Sequence, residues 1–136
     1  MNVKSVLESH RKLKAKIRVT LKEIEDMRGF AESVISNVSE SERVELVGKV
    51  LDIDKRLAEE YDRYVALQAK ISDMIDTLDN ETELIALKCV YILHYSSEQT
   101  AKEMGYTVRH IARLLKSGLE KLQTKYNDAD INDIEI

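Results

Sequence analysis

The sequence predicts an all-α protein in which a long, coiled-coil-like antiparallel helical hairpin precedes a compact three-helix domain. Three observations support this fold class. The 136 residues include no proline, and 34% of them are charged, a profile typical of long helices. Apolar residues recur at heptad spacing through the N-terminal half. The C-terminal half instead contains capping residues and a glycine that divide it into shorter helices.

The first predicted helix covers residues 2–35 and carries a narrow apolar seam. Two polar residues, His10 and Thr20, belong to this seam and could set its register. The seam consists of two sets of positions spaced by seven residues: Val3, His10, Ile17, Ile24 and Ala31, and Val6, Leu13, Thr20, Met27 and Val34.

The second predicted helix covers residues 40–77 and follows a break at residues 36–41, where Ser39 and Glu42 can form a capping box. The short connection predicts that residues 1–79 fold back as an antiparallel hairpin. Because two charged helices bury little surface, we expect this hairpin to dimerise or to dock on the C-terminal domain. Its second seam comprises Val50, Leu57, Tyr64, Ile71 and Leu78, supported by Val47, Tyr61 and Ile75.

The third predicted helix starts at the N-cap Asn80, with Glu83 in its first turn, and extends to about His94. Between Leu84 and His94 the only charged residue is Lys88, and apolar residues lie all round the helix. A helix of this kind is buried on most sides. It is therefore expected at the centre of a domain covering residues 80–125.

A helix, a tight turn and a second helix are predicted next. Ser96 can cap the first of these helices together with Gln99, and Ala101 is small enough to allow a close helix crossing. Gly105 can adopt the positive φ that ends the helix, and Thr107 is a suitable N-cap for the next one. This order is typical of a helix-turn-helix, whose second helix enters the major groove of DNA.

The helix after Thr107 has two distinct faces. Its apolar positions are Val108, Ile111, Leu115, Leu119 and Leu122. From Thr107 to Lys125 there are five basic residues and one acidic residue, in a chain of net charge −4. Such a positive face suits phosphate and guanine contacts, although an amphipathic helix with a solvated basic face is the alternative. The candidate DNA-binding residues are Thr107, Arg109, His110, Arg113 and Lys116.

Two further charged segments allow more than one interpretation. The first helix has a basic run that is either solvated or an auxiliary contact to the DNA backbone or an acidic partner. The run comprises Arg11, Lys12, Lys14, Lys16, Arg18 and Lys22. Residues 126–136 are acidic and are predicted to be a flexible tail, which could alternatively fold back on the basic helix.

Composition argues against several other classes of protein. The single cysteine, Cys89, excludes an internal disulfide and a cysteine-based zinc site, and the three histidines lack metal-ligand spacing. There is no glycine-rich phosphate loop and no nucleophile–base set, so we expect neither an enzyme nor a cofactor. No apolar run is long enough to span a membrane, and charges follow Met1 closely. A cytoplasmic protein is therefore expected.

Residues 80–122 resemble region 4 of sigma-70-type factors, the part that reads the promoter −35 element. The resemblance runs through the apolar helix, Ser96-Ser-Glu-Gln-Thr-Ala, Met104-Gly105, Thr107-Val108, Ile111 and Leu119-Glu-Lys-Leu122. Thr100 departs from it, because sigma factors usually have an aliphatic residue there. The whole chain is similar to the phage RinA/ArpU-type late-gene transcriptional regulators, in which a long helical part precedes such a domain.

This resemblance implies a phage or prophage regulator that binds double-stranded DNA sequence-specifically and activates late genes. The hairpin would then form a homodimer or contact host RNA polymerase. Two other classes stay open from the sequence. One is a DNA-packaging component similar to a small terminase subunit, and the other is a module that binds sigma factor or RNA polymerase without touching DNA.

Overall fold

The computed structural model describes residues 2–126, and these are predominantly helical. Within this range there is no strand, which confirms the predicted all-helical class and the long N-terminal helix. None of the described helices is long and apolar enough to span a membrane. Apart from Tyr126, the predicted acidic tail lies outside the described residues. The elements are α1 (Val3–Val34), a 3-10 helix (Ile35–Asn37), α2 (Glu40–Asp76), α3 (Glu81–Leu87), a π-helix (Lys88–Ile92), α4 (Ser97–Met104) and α5 (Val108–Lys125).

The chain divides into two compact units. The terminal unit consists of the described residues of Met1–Lys12 and Val65–Ile136, and the central unit consists of Leu13–Tyr64. Both divisions fall inside helices, so α1 and α2 each contribute to both units. The prediction that residues 1–79 and residues 80–125 are separate domains stays a prediction.

In the central unit, side-chain contacts join α1 and α2 in antiparallel order. The Thr20 hydroxyl donates to Glu60 Oε2 at 2.8 Å, and Arg56 Nη2 lies 2.6 Å from Glu23 Oε2. Residue numbers rise along α1 as they fall along α2, so the two segments run in opposite directions. Ile24 and Ile53 are buried between them.

The buried seam of α2 differs in part from the predicted one. Val47 and Tyr61, expected to support the seam, are exposed instead. The inward positions include Ile53 and Glu60, which is fully buried. Because Glu60 is charged, the apolar pattern of the sequence did not indicate that these positions of α2 are buried. The burial of Glu60 is tolerated because the Thr20 hydroxyl donates to Oε2 at 2.8 Å and the Lys16 ammonium lies 3.8 Å from Oε1.

In the terminal unit, the start of α1 belongs to the same core as the C-terminal helices. Val6 and Leu7 are fully buried, as are Leu87 of α3 and Ile111 of α5. His10 is also buried, and its Nδ1 lies 3.2 Å from the carbonyl oxygen of Tyr91. The start of α1 therefore contributes directly to the core of the unit that contains α3, α4 and α5.

The sequence predicts one continuous third helix, but the observed helix is not regular along its whole length. It changes from α to π after Leu87, and the Leu93 N–H donates to the carbonyl of Lys88 at 3.0 Å. The wider π turn accompanies the burial of three consecutive residues, Cys89, Val90 and Tyr91. His94 follows with φ 60°, which ends the helix before its predicted limit. The expected burial on most sides is incomplete, because Ile85 and Leu93 are exposed.

Candidate nucleic-acid interface

The start of α4 is held by the predicted cap. Ser96 Oγ accepts from the Gln99 N–H at 3.1 Å. The Thr100 hydroxyl donates to the Ser96 carbonyl at 2.9 Å, and the Thr100 side chain is fully buried. This bond satisfies the hydroxyl, so a polar residue is accommodated in the core.

The turn between α4 and α5 also has the predicted geometry. Gly105 adopts φ 72°, a left-handed conformation that glycine reaches without strain. The Tyr106 N–H donates back to the Ala101 carbonyl at 2.9 Å, which satisfies an end carbonyl of α4. Thr107 Oγ1 then accepts from the His110 N–H at 3.1 Å and caps α5. The path of the chain into α5 is thus defined by hydrogen bonds at both helix ends.

The buried face of α5 is held against α3. Ile111 and Leu122 are fully buried, and Gly118 lies between them at a close helix crossing. A Cβ atom at Gly118 would lie 2.8 Å from Leu87 Cδ1, so only glycine fits there without a shift. These contacts fix the rotation of α5 about its own axis and determine which residues it presents to solvent.

Three of the five predicted site residues share the exposed face of α5. Arg109, Arg113 and Lys116 are all exposed. Among the described residues, no acidic side chain forms an ion pair with any of them. At a rise of about 1.5 Å per residue, they span roughly 10 Å along the helix. Together they form a positive ridge on α5 that no acidic residue of the described range neutralises through an ion pair.

The other two predicted residues are differently placed. The oxygen of Thr107 is engaged as the α5 cap, although the side chain is exposed. His110 is half-buried, and its ring makes an edge contact with Tyr106 at a centroid distance of 4.5 Å. Val108, assigned by its spacing to the buried face, is exposed, because this first residue of α5 precedes the level at which Ile111 enters the core.

Lys4 is a basic residue near this face that the sequence pattern did not indicate. It lines a groove of about 520 Å³ between the start of α1 and α5, together with Lys116. The Val3 N–H donates to Gln123 Oε1 at 2.8 Å and holds the two helices together there. The sequence indicated the contact between α1 and α5 only through Val3, which is the first member of the α1 seam.

The positive charge of α5, which has five basic side chains and one acidic one, is the electrostatic feature that distinguishes this face. It stands against a chain of net charge −4, so the local field at α5 differs in sign from the chain as a whole. Comparison of the chain with protein-family models, curated proteins and solved structures found no match.

Proposed function

We propose that this chain is a transcriptional regulator that binds double-stranded DNA sequence-specifically. In this proposal α4, the turn at Gly105 and α5 act as a helix-turn-helix, and α5 enters the major groove. One observation carries the proposal. The buried face of α5 is held against α3, while Arg109, Arg113 and Lys116 are exposed and form no ion pair with any acidic side chain that the structure describes.

In this proposal, the position of each ridge residue along α5 determines whether it contacts a base or a phosphate. Arg109 and Arg113 lie one turn apart in the first half of α5, the part that approaches base edges. A guanidinium can bind the O6 and N7 atoms of guanine with two hydrogen bonds. Lys116 lies farther along the helix, where a flexible point charge suits phosphate. Thr107 and His110 are secondary contacts.

The finer architecture belongs to the same proposal. The antiparallel segments of α1 and α2 form a hairpin, and α3, α4 and α5 form a three-helix DNA-binding domain similar to sigma-70 region 4. The resemblance to phage late-gene regulators supports activation of late genes as the biological role. The hairpin would contact a second copy of the chain or host RNA polymerase.

Selection of bound sequences from random double-stranded DNA tests this function. The full chain should enrich a defined site, and the Arg109→Ala, Arg113→Ala variant should lose about 1–3 kcal/mol per lost base contact. The matched control is the Arg63→Ala, Lys70→Ala variant, which removes the same charge from exposed positions on α2. The control should retain the affinity and the site preference of the original chain.

Three outcomes would contradict the proposal. Unchanged DNA affinity and site preference in the Arg109→Ala, Arg113→Ala variant would exclude α5 as the reader. A solution mass of eight or more copies would favour a DNA-packaging subunit. Binding to RNA polymerase or a sigma factor with no enriched DNA site would favour the interaction module.

A further inference from the structure

A second heptad pattern lies on the exposed surface of α2. Its apolar members are largely solvent-exposed: Val44 is 69% exposed, Val47 50%, Leu51 60% and Tyr61 57%. Ala58, also exposed, lies seven residues after Leu51. Exposed valine and leucine side chains grouped in this way indicate an interaction surface. We call the five residues Val44, Val47, Leu51, Ala58 and Tyr61 the α2 stripe.

The α2 stripe is separate from the face that α2 turns toward α1. The inward positions of the central unit are Leu46, Val50, Ile53, Leu57 and Glu60, all buried or half-buried. The stripe repeats the same alternation of three and four residues at a different rotation around the helix. This alternation is the spacing by which one helix packs along another. The spacing of the α2 stripe therefore indicates a helical partner.

One polar residue, Asp54, occupies a position in the register of the stripe, seven residues from both Val47 and Tyr61. Its charge is neutralised within the same unit, because Arg28 Nη2 of α1 lies 3.0 Å from Asp54 Oδ1 and 2.8 Å from Oδ2. A helix laid along the stripe would consequently meet apolar side chains and a neutralised pair. It would not meet an isolated carboxylate, whose burial would be costly.

We infer that the α2 stripe binds the same stripe of a second copy of this chain. Charges of both signs flank it, with Arg43 and Lys55 beside Glu59 and Asp62. A mixed pattern suits a self-complementary surface, whereas nucleic acid requires a single sign. The stripe is about 25 Å long. Its exposed apolar surface, on the order of 500 Å² per copy, would bury at most about 1,000 Å² in the pair, which is the lower limit for a specific interface.

Sedimentation velocity of the full chain over a wide concentration range tests the inference, which does not depend on DNA binding. The original chain should form a dimer. Val47→Glu, Leu51→Glu should raise the dissociation constant at least about tenfold, because it would place carboxylates in an apolar interface. The matched control is Val19→Glu, Phe30→Glu, which makes the same change at exposed apolar positions on α1. Circular dichroism should show equal helix content in all three proteins.

A second pair of variants tests the role of Arg28. Arg28→Gln leaves the Asp54 carboxylate unneutralised in the stripe and should weaken the dimer. Adding Asp54→Asn removes that charge and should restore much of the loss. A chain that is monomeric at every concentration would overturn the inference, as would equal loss of the dimer in the stripe variant and the α1 control. A monomer whose stripe instead binds a different protein would also overturn it.

Discussion

The carboxylate of Glu83 on α3 is buried and binds the ammonium group of Lys121 on α5. The Glu83 side chain is only 3% exposed, whereas Lys121 is 53% exposed. Lys121 Nζ donates to both carboxylate oxygens, and its distance to Oε2 is 3.1 Å. This contact, beside Gly118, links the two helices that determine how the basic ridge of α5 faces solvent.

Removal of Lys121 should destabilise the terminal unit. Lys121→Met leaves the buried Glu83 carboxylate without this donor and should cost about 1–3 kcal/mol. Adding Glu83→Leu should recover part of that loss, because replacement of both partners avoids the uncompensated charge. Urea denaturation of the two single variants and the double variant measures the coupling. Lys102→Met, at an exposed position on α4, is the control, and an equal loss there would contradict the role of the ion pair.

Substitution of Gly118 should destabilise the chain although alanine favours helices. The added Cβ would lie 2.8 Å from Leu87 Cδ1, and Leu87 is fully buried and has little room to move. Gly118→Ala should therefore cost about 1–3 kcal/mol. Gly48→Ala, in α2 where the Cβ meets nothing within 4 Å, should stabilise by about 0.5–1 kcal/mol. Opposite signs in thermal melting are expected, and a stabilising Gly118→Ala would contradict the close crossing.

The buried polar pair of the central unit should behave as a coupled unit. Thr20→Val removes the hydroxyl that donates to Glu60 at 2.8 Å and should cost about 1–3 kcal/mol. Glu60→Leu in the same chain should offset that loss, because it extends the apolar seam past Ile53 and removes a buried charge. A double-mutant cycle by chemical denaturation checks this coupling. Additive losses would show that Glu60 does not depend on Thr20.

Stability should fall in alkaline solution partly through Tyr91. Burial, with a smaller effect of the Glu8 carboxylate, raises the pKa of the Tyr91 phenol above its ordinary value of 10.0, while Arg11 opposes the rise. The unfolded chain then loses this proton first, so the contribution is complete below pH 10.0 and is lost as pH rises through the folded pKa. Tyr91→Phe should make the decline in unfolding free energy above that pH shallower, by at most about 1.4 kcal/mol per pH unit. Parallel declines in the two proteins would contradict it.

Lys116 should contribute to DNA affinity without sequence preference. Lys116→Ala removes a phosphate contact in the proposed complex, so it should weaken specific and non-specific DNA about equally. It should also make the slope of log affinity against log salt shallower by about one unit. Fluorescence anisotropy over a salt series measures both quantities, with Lys70→Ala on α2 as the control. A loss confined to one preferred sequence would instead mean that Lys116 reads a base.

The helix boundaries in the C-terminal half were largely predictable because they depend on neighbouring residues. Asn80, Ser96 and Thr107 cap their helices through hydrogen bonds to the residue three positions later, as expected. Gly105 has the predicted positive φ. The π-helix was not predictable from neighbouring residues, because the burial of its residues depends on packing against other helices. Arg109, Arg113 and Lys116 were correctly expected on one exposed face.

The sequence by itself determined the helical class, the caps and the turn at Gly105, since these follow from contacts within about one helical turn. The spacing of apolar and basic residues also indicated the basic face of α5, which packing against α3 then turns to solvent. Only the tertiary structure decided that Ile53 and Glu60, and not Val47 and Tyr61, accompany the predicted positions Val50 and Leu57 in the buried seam of α2. The buried Glu60 carboxylate is satisfied there by groups of α1, because Thr20 donates to Oε2 at 2.8 Å and the Lys16 ammonium lies 3.8 Å from Oε1. Tertiary packing likewise joined Val3 to Gln123 and placed Gly118 against Leu87. These pairs are far apart in the chain, and their contact depends on the packing of whole helices.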